Sequence, residues 1–396
     1  MIKKSLIAYC IFFATLCYII WPWIFEKKLL FNELLSLTGI AVLMYKRFRF
    51  GKDLISICLV TLLIWSAMHA VVSLFRMDKL YYYFRNLVIA YSMMTFFIGY
   101  YLLRFLGGFI DKAKLLLRPY FALMLLFPVN IVWFERFGTA TLFPALFKNI
   151  RSRILPLLLV VLCIIQAVSY DSSTAIILGA FYLLIFLSPG YRFFKQVMLI
   201  GLLSFILLFI YLLPYLDLIK LRYDPYNYVA IYDVINSHPI LSIDGNSTWR
   251  LVFWKQIIVD HFPQNLFGLG FGTPMMKYYP VEDFSKIDSL PYIFGAHNSY
   301  VYLFGRLGIV YVLLMLTIYS TIFKEYFYFK TYFRSKNQNL IFLSFFAISI
   351  ISLFNPTLES PIFAGGYWLI LGLTARAIHD RQYSTSNSFN ANLIYS

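Results

Sequence analysis

The chain has 396 residues, of which 61% are hydrophobic and only 13% are charged, and its mean hydropathy is +0.74. This composition excludes a soluble globular domain, because apolar runs of about 18 residues or more are typical of membrane-spanning helices and recur along the whole sequence. The formal net charge of +16 raises the question of nucleic-acid binding. The basic residues stand in short clusters between the apolar runs. This distribution is typical of the cytoplasmic loops of membrane proteins. We therefore expect a lipid bilayer, and no nucleic acid, as a partner.

The first apolar run, residues 5–25, follows Lys3 and Lys4 and has no small-residue cleavage site after it. It is predicted to be a retained membrane helix and not a removed signal peptide. All four cysteines fall within predicted spans, which argues against a disulfide framework or a zinc site.

The basic clusters share one side of the membrane only if two spans separate each consecutive pair of clusters. This condition predicts twelve helices with both termini in the cytoplasm: 5–25, 29–45, 54–75, 86–104, 120–134, 137–147, 154–170, 174–188, 196–216, 297–323, 339–355 and 361–378. The sequence thus predicts an all-α integral membrane protein with a single polytopic domain over residues 1–381. Residues 382–396 are rich in Ser and Asn, and we expect a disordered cytoplasmic tail there.

One long segment, residues 217–296, is not a continuous apolar run, and the charge pattern places it in the periplasm. Within it, Ser247 or Thr248 is predicted to cap a helix that runs from Trp249 to about Asp260 and ends at Pro263. Apolar residues at helical spacing and two tryptophans favour a position at the membrane–water interface. The glycines at 268, 270 and 272 are interpreted as a turn that folds the chain back towards the membrane.

His297 stands where this loop meets the next span, beside Asn298 and at the start of a long predicted helix. The helix macrodipole disfavours a protonated imidazole at that end, so we expect the ring to be neutral near pH 7. A neutral imidazole can act as a general base and take a proton from a sugar hydroxyl. The alternative is a histidine that hydrogen-bonds a neighbouring carbonyl and serves only the structure.

Arg250 shares one flank of the predicted loop helix with Trp254. Its planar guanidinium suits phosphate oxygens and stays protonated. The alternative is an arginine that snorkels and anchors the loop. Arg76, Arg85 and Arg136 also lie on the exterior side, against the usual charge distribution. An anionic ligand such as a lipid diphosphate would explain that placement, although snorkelling alone explains any single one of them.

Arg306 falls in the middle of a predicted span, where a charge indicates function or pairing. It lies on the opposite helix face from His297 and about 13 Å deeper. We therefore expect a buried ion pair, with Glu359 or Asp171 as the partner.

No D-x-D, H-x-H or H-E-x-x-H pattern occurs in the sequence, so we expect no metal and no other cofactor. A metal-dependent sugar-nucleotide transferase is disfavoured for the same reason.

The order of these motifs is specific even though each alone is weak. Arg250 with Trp254, the glycine turn, and Ala296-His297-Asn298-Ser299-Tyr300 leading to Arg306-Leu307-Gly308 follow one another within residues 250–308. In this order, and with one large loop before the tenth helix, the chain resembles the O-antigen ligase and O-antigen polymerase family of bacterial envelope glycosyltransferases. The helix layout extends the resemblance over nearly the whole chain.

The resemblance implies inverting, metal-independent transfer of a glycan from undecaprenyl diphosphate to an acceptor hydroxyl in the periplasm, at the bacterial inner membrane. By this resemblance His297 matches the catalytic histidine and Arg250 the arginine that contacts the diphosphate. Ligases of the family often carry an arginine where Thr174 stands, which puts the ligase branch in doubt.

A polymerase, whose acceptor is another lipid-linked repeat unit, is therefore placed ahead of a ligase, whose acceptor is the lipid A core. We expect Trp254 and Asn298, together with Arg76, Arg85 and Arg136, to contact the substrate. A polysaccharide flippase or other transporter is the alternative from a different class. Transporters commonly show paired halves, and no such repeat is found in this sequence.

Overall fold

The computed structural model describes residues 31–45, 53–78, 80–103, 173–216, 220–222, 230–232, 245–275, 296–332, 336–360 and 363–394. In chain order the helices are α1 (Phe31–Tyr45), α2 (Leu54–Leu74), α3 (Leu80–Ser92), α4 (Ser173–Leu187), α5 (Tyr191–Leu216), α6 (Gly245–Lys255), α7 (Ser299–Tyr332), α8 (Lys336–Phe354) and α9 (Ala364–Ile394). After α3 a turn at residues 93–94 interrupts the helix, which then continues to Leu103. Two three-residue strands, β1 (Lys220–Arg222) and β2 (Ala230–Tyr232), pair antiparallel with Lys220 opposite Tyr232.

Four helices of the described regions are long and apolar enough to cross a membrane: Leu54–Leu74, Tyr83–Leu103, Tyr191–Leu216 and Ser299–Tyr328. Shorter apolar helices cover Asn32–Tyr45, Ile176–Leu187 and Ile341–Phe354. Each of these seven helices coincides with a predicted span, so the expectation of a helical membrane protein is confirmed at this level. The predicted spans at 5–25, 120–134, 137–147 and 154–170 lie outside the described residues.

α7 is the helix about which the others pack, with α2, α5, α8 and α9 against it. Its side chains Tyr302, Leu303 and Leu307 are fully buried. Because α7 begins two residues after His297, this packing fixes the position at which the large loop joins the helical core.

Two glycines bring α9 directly against the helical segment that follows α3. A Cβ added at Gly99 would overlap the carbonyl oxygen of Leu369, and a Cβ at Gly372 would overlap that of Phe96. Small residues allow this close approach of backbones, which is common where helices pack in membranes. The contact holds the C-terminal helix to the first half of the chain.

The expectation of a disordered tail differs from the structure, in which α9 continues as far as Ile394. Once the packed turns of a helix have formed, each further residue adds a hydrogen bond without a new nucleation cost. The polar composition of residues 382–394 therefore does not prevent the helix from extending.

Candidate active site

The predicted helix of the large loop is present and is longer at its start than expected. α6 begins at Gly245, so Ser247 and Thr248 lie inside its first turns and do not precede it. A π-helical turn, Gln256–Asp260, continues it, and Pro263 follows.

The apolar side of this helix packs inside the protein. Val252, Phe253 and Ile257 are buried, and α6 contacts α5. Val252 and Phe253 of α6 therefore join the protein core, and the position of this helix at the membrane interface stays a prediction. The periodicity indicates which residues turn inward, but it does not distinguish a protein surface from a lipid surface.

Trp254 attaches α6 to the start of α7. Its indole Nε1 donates a hydrogen bond to the carbonyl oxygen of Ala296 at 3.0 Å, and its ring lies edge-on to Phe205 with the ring centroids 6.0 Å apart. Ala296 is the residue directly before His297. Trp254 therefore holds the backbone that presents His297, and its contact with a substrate stays a prediction.

His297 has a left-handed backbone conformation, with φ of +47°. For a residue other than glycine this conformation costs on the order of 1–3 kcal/mol and persists only where its neighbours enforce it. Asn298 is one of those neighbours, because its side-chain oxygen accepts hydrogen bonds from the amides of Tyr300 (3.0 Å) and Val301 (3.1 Å) and caps α7. Asn298 therefore has a structural role at the start of α7, and its contact with a substrate stays a prediction.

The structure brings Arg250 into electrostatic range of His297. Burial, and to a lesser extent the positive charge of Arg250, lowers the pKa of His297 to about 4. The imidazole is therefore neutral at pH 7, as expected, but the causes are burial and Arg250, where the sequence pointed to the helix dipole. The two residues that the motif order singles out thus share one site.

A carboxyl group that the sequence did not assign to the site lies at the same end of α7. Glu359 Oε2 accepts a hydrogen bond of 2.5 Å from the Ser299 hydroxyl, which itself accepts the amides of Thr357 (2.8 Å) and Leu358 (3.0 Å). Burial raises the pKa of Glu359 to about 7, although the Ser299 hydrogen bond, the backbone amide of Glu359 itself and the charge of Arg85 act in the opposite direction. The available signal in the sequence was an acidic residue in a short connection between two predicted spans.

The predicted ion pair between Arg306 and Glu359 is wrong. The Arg306 guanidinium donates to the carbonyl oxygens of Gly270 (2.9 Å) and Thr273 and to the Tyr302 hydroxyl (2.9 Å). Main-chain carbonyls of the glycine turn thus supply the acceptors that a carboxylate was expected to supply. The other suggested partner, Asp171, lies outside the described residues.

The glycine turn meets α7 where that helix is broken at Gly308, whose φ is +72°. The break leaves helix carbonyls without their usual donors. The amide of Leu269 donates to Gly305 O at 2.8 Å and the amide of Gly270 donates to Arg306 O at 3.0 Å. The turn therefore folds the chain back onto the helix core, as predicted.

Other polar groups complete this attachment. The Trp65 indole donates to Leu307 O at 2.6 Å. The Tyr302 hydroxyl donates to the Asn86 side chain at 2.7 Å, and Asn86 donates in turn to Phe271 O at 2.8 Å. α2, α3, α7 and the glycine turn are thus joined by one buried network.

The remaining predicted arginines are distributed differently. Arg85, on α3, is half-buried and within electrostatic range of Glu359. Arg76 is exposed in the turn after α2, and the amide of Asp78 in that turn donates to Gly272 O at 3.2 Å. Arg136 lies outside the described residues.

Within the described residues no group of three or more His, Cys, Asp or Glu side chains could hold a metal ion. No protein-family model matches the chain, and no curated protein or solved structure matches it.

Proposed function

We propose that the protein is an inverting, metal-independent glycosyltransferase of the bacterial inner membrane. It moves a glycan from undecaprenyl diphosphate to an acceptor hydroxyl on the periplasmic side. The observation that carries the proposal is the pairing of a neutral, half-buried His297 with Arg250 at one end of α7. A neutral imidazole can accept the proton of a hydroxyl, and a guanidinium can bind the oxygens of a diphosphate.

In the reaction, the acceptor oxygen attacks the anomeric carbon on the face opposite the diphosphate while His297 takes the hydroxyl proton. The bond from that carbon to the diphosphate oxygen breaks, and both of its electrons leave with the diphosphate. Arg250 balances the charge on the leaving group. Attack from the opposite face inverts the configuration of the sugar.

A pKa of about 4 makes His297 a weak base in the unliganded protein. Bound diphosphate brings negative charge beside Arg250 and offsets the repulsion between the two residues. Nearby negative charge favours a protonated imidazole, so the pKa of His297 rises when the donor is bound. In this scheme His297 becomes a stronger base only when the lipid-linked glycan donor is bound.

The acceptor in this proposal is a second lipid-linked repeat unit, which makes the protein a polymerase of O-antigen or a related polysaccharide. Thr174 supports this choice, because the ligases that the sequence resembles often carry an arginine at that place. The twelve-helix topology, with the loop at residues 217–296 in the periplasm, belongs to the same proposal.

Deletion of the gene tests this function, with the lipopolysaccharide separated on a gel. We expect core that carries a single repeat unit, and plasmid-borne wild type should restore the ladder. Bare core with retained lipid-linked polymer would instead indicate a ligase. An unchanged polysaccharide profile would contradict both.

A further inference from the structure

Glu359 has one carboxyl oxygen with a partner and one without. Oε2 accepts the Ser299 hydroxyl, whereas no donor among the described residues reaches the buried Oε1. The side chain is only 6% exposed. A buried oxygen without a partner is unfavourable, and such groups in native proteins mark a catalytic role, stored strain or a place for a bound molecule.

The Ser299 hydroxyl determines which oxygen carries the proton when Glu359 is neutral. A hydroxyl has two lone pairs and one proton. Both lone pairs of Ser299 are occupied by the amides of Thr357 and Leu358. Its proton has two acceptors, Oε2 of Glu359 at 2.5 Å and the carbonyl oxygen of Asn355 at 3.1 Å, and the shorter contact assigns it to Oε2. Oε2 is then an acceptor in either charge state, and any proton on the carboxyl sits on Oε1.

Oε1 is thus placed to exchange hydrogen bonds with a molecule that both donates and accepts. A neutral carboxyl donates through Oε1, and a charged carboxyl accepts there. A hydroxyl group fits both states, because it is a donor and an acceptor at once. Burial raises the pKa of Glu359 to about 7, so both states are populated at neutral pH.

The surroundings of the carboxyl favour a ligand over bulk water. Arg85 lies within electrostatic range of Glu359. Ser299, which holds the carboxyl, stands two residues after His297 at the capped start of α7. A second polar group is thereby fixed on the same helix end as the paired His297 and Arg250.

We infer that Glu359, held by Ser299 and accompanied by Arg85, forms a sugar-hydroxyl subsite that binds the glycan separately from the diphosphate. The inference rests on the proposed function, since it assigns the glycan of that reaction to this carboxyl. It adds a specificity-determining residue that the motif order does not contain.

A binding experiment in detergent separates the two halves of the site. The probes are undecaprenyl diphosphate without sugar and undecaprenyl diphosphate oligosaccharide purified from the producing cells. We expect Glu359→Ala to weaken binding of the oligosaccharide lipid about 10- to 100-fold, as loss of a hydrogen bond to an ionisable group does, and to leave binding of the sugar-free lipid unchanged. Arg250→Ala should weaken both.

Glu359→Gln distinguishes a contribution of hydrogen bonding by this side chain to glycan affinity from a contribution of its negative charge. The amide can accept from Ser299 and donate from the position of Oε1, so this variant should stay within about threefold of wild type. Glu325→Ala is the matched control, because Glu325 is also buried but pairs with Arg381. Glu325 lies about 39 Å along α7 from Ser299, the residue that contacts Glu359. It should leave the affinities for both lipids unchanged.

Wild-type affinity for the oligosaccharide lipid in Glu359→Ala would overturn the subsite and leave the proposed function standing. A wild-type protein that binds both lipids equally would overturn the glycan-binding part of the proposed function, and this inference with it. Loss of affinity in both Glu359 variants would keep the subsite and show that it requires the ionised carboxylate.

Discussion

His297 combines three features that a histidine with a purely structural role would not need together. Its backbone is left-handed, its ring is half-buried, and its pKa is lowered to about 4 by burial and by Arg250. Strained residues of this kind cluster at functional sites, and an observed outlier is a fair basis for a hypothesis of function. Ala296 and Asn298 enforce the conformation through their hydrogen bonds to Trp254 and to the amides of α7.

At the same scale, Arg250→Lys separates diphosphate binding from simple anchoring. Two-point binding of phosphate oxygens needs the planar guanidinium, whereas an anchor needs only a long cationic side chain. We expect the lysine variant to lose most of its transfer activity, measured with purified lipid-linked donor at matched protein levels. Arg192→Lys is the control, since Arg192 is exposed at the start of α5 and is not among the predicted substrate residues. Full activity with lysine and loss with alanine would instead favour a point charge.

His297 and Glu359 have opposite effects on the pH dependence of stability. The pKa of His297 is lowered to about 4, so its contribution is present above pH 6.5 and is lost as the pH falls towards 4. The pKa of Glu359 is raised to about 7, so its contribution is present below pH 4.5 and is lost as the pH rises through 7.

Thermal unfolding in detergent between pH 4.5 and 7 should therefore show a shallow dependence for the wild type. Glu359→Gln leaves the histidine effect alone, so its melting temperature should rise with pH across this range. His297→Gln leaves the carboxyl effect, and its melting temperature should fall. Parallel profiles for the two variants would contradict these pKa shifts.

At the scale of elements, the attachment of the glycine turn to α7 sets the relation between Arg250 and His297. The chain passes from α6 through this turn before it reaches the start of α7. Gly268 has a φ of +92°, and a Cβ there would overlap the carbonyl oxygen of Arg306. A displacement of this turn is therefore expected to move α6 relative to the start of α7.

Gly268→Ala should destabilise the protein by more than about 1 kcal/mol, because alanine at positive φ is strained and the clash is with backbone. Gly201→Ala is the matched control, since a Cβ there, on α5, meets no atom within 4 Å. Alanine favours a helix over glycine by about 1 kcal/mol, so the control should be neutral or slightly more stable. Equal melting temperatures for the two variants would show that the glycine turn accommodates alanine at position 268 without loss of stability.

Elements of this protein are predictable from sequence where the signal is local. Apolar length predicts the spans that α2, α5 and α7 occupy, and the loop helix follows from its spacing. The partners of Arg306 were not predictable, because they are main-chain carbonyls supplied by a turn that packs at the break of α7. Glu359 was missed as a site residue for a similar reason, since its contact with Ser299 arises only in the folded chain.

At the scale of the whole molecule, the basic clusters predict both termini in the cytoplasm and residues 282–289 in the periplasm. Accessibility tags at Lys3 and Ser396 should both report the cytoplasm, and a tag within 282–289 should report the periplasm. Termini on opposite sides would mean that residues 120–147 form one span and that the twelve-helix topology is wrong.

The most direct test of the glycosyltransferase proposal is glycan transfer by the purified protein. Wild type, His297→Ala and His297→Gly are incubated with lipid-linked oligosaccharide in the presence of EDTA, and the products are separated by size. Glycine adopts positive φ without strain, so His297→Gly removes the imidazole but tolerates the backbone conformation. We predict elongated product with inverted linkage from the wild type, and rates about 10²–10⁴ lower from both variants. Near-wild-type transfer by His297→Gly, or no transfer by well-folded wild type, would contradict the account.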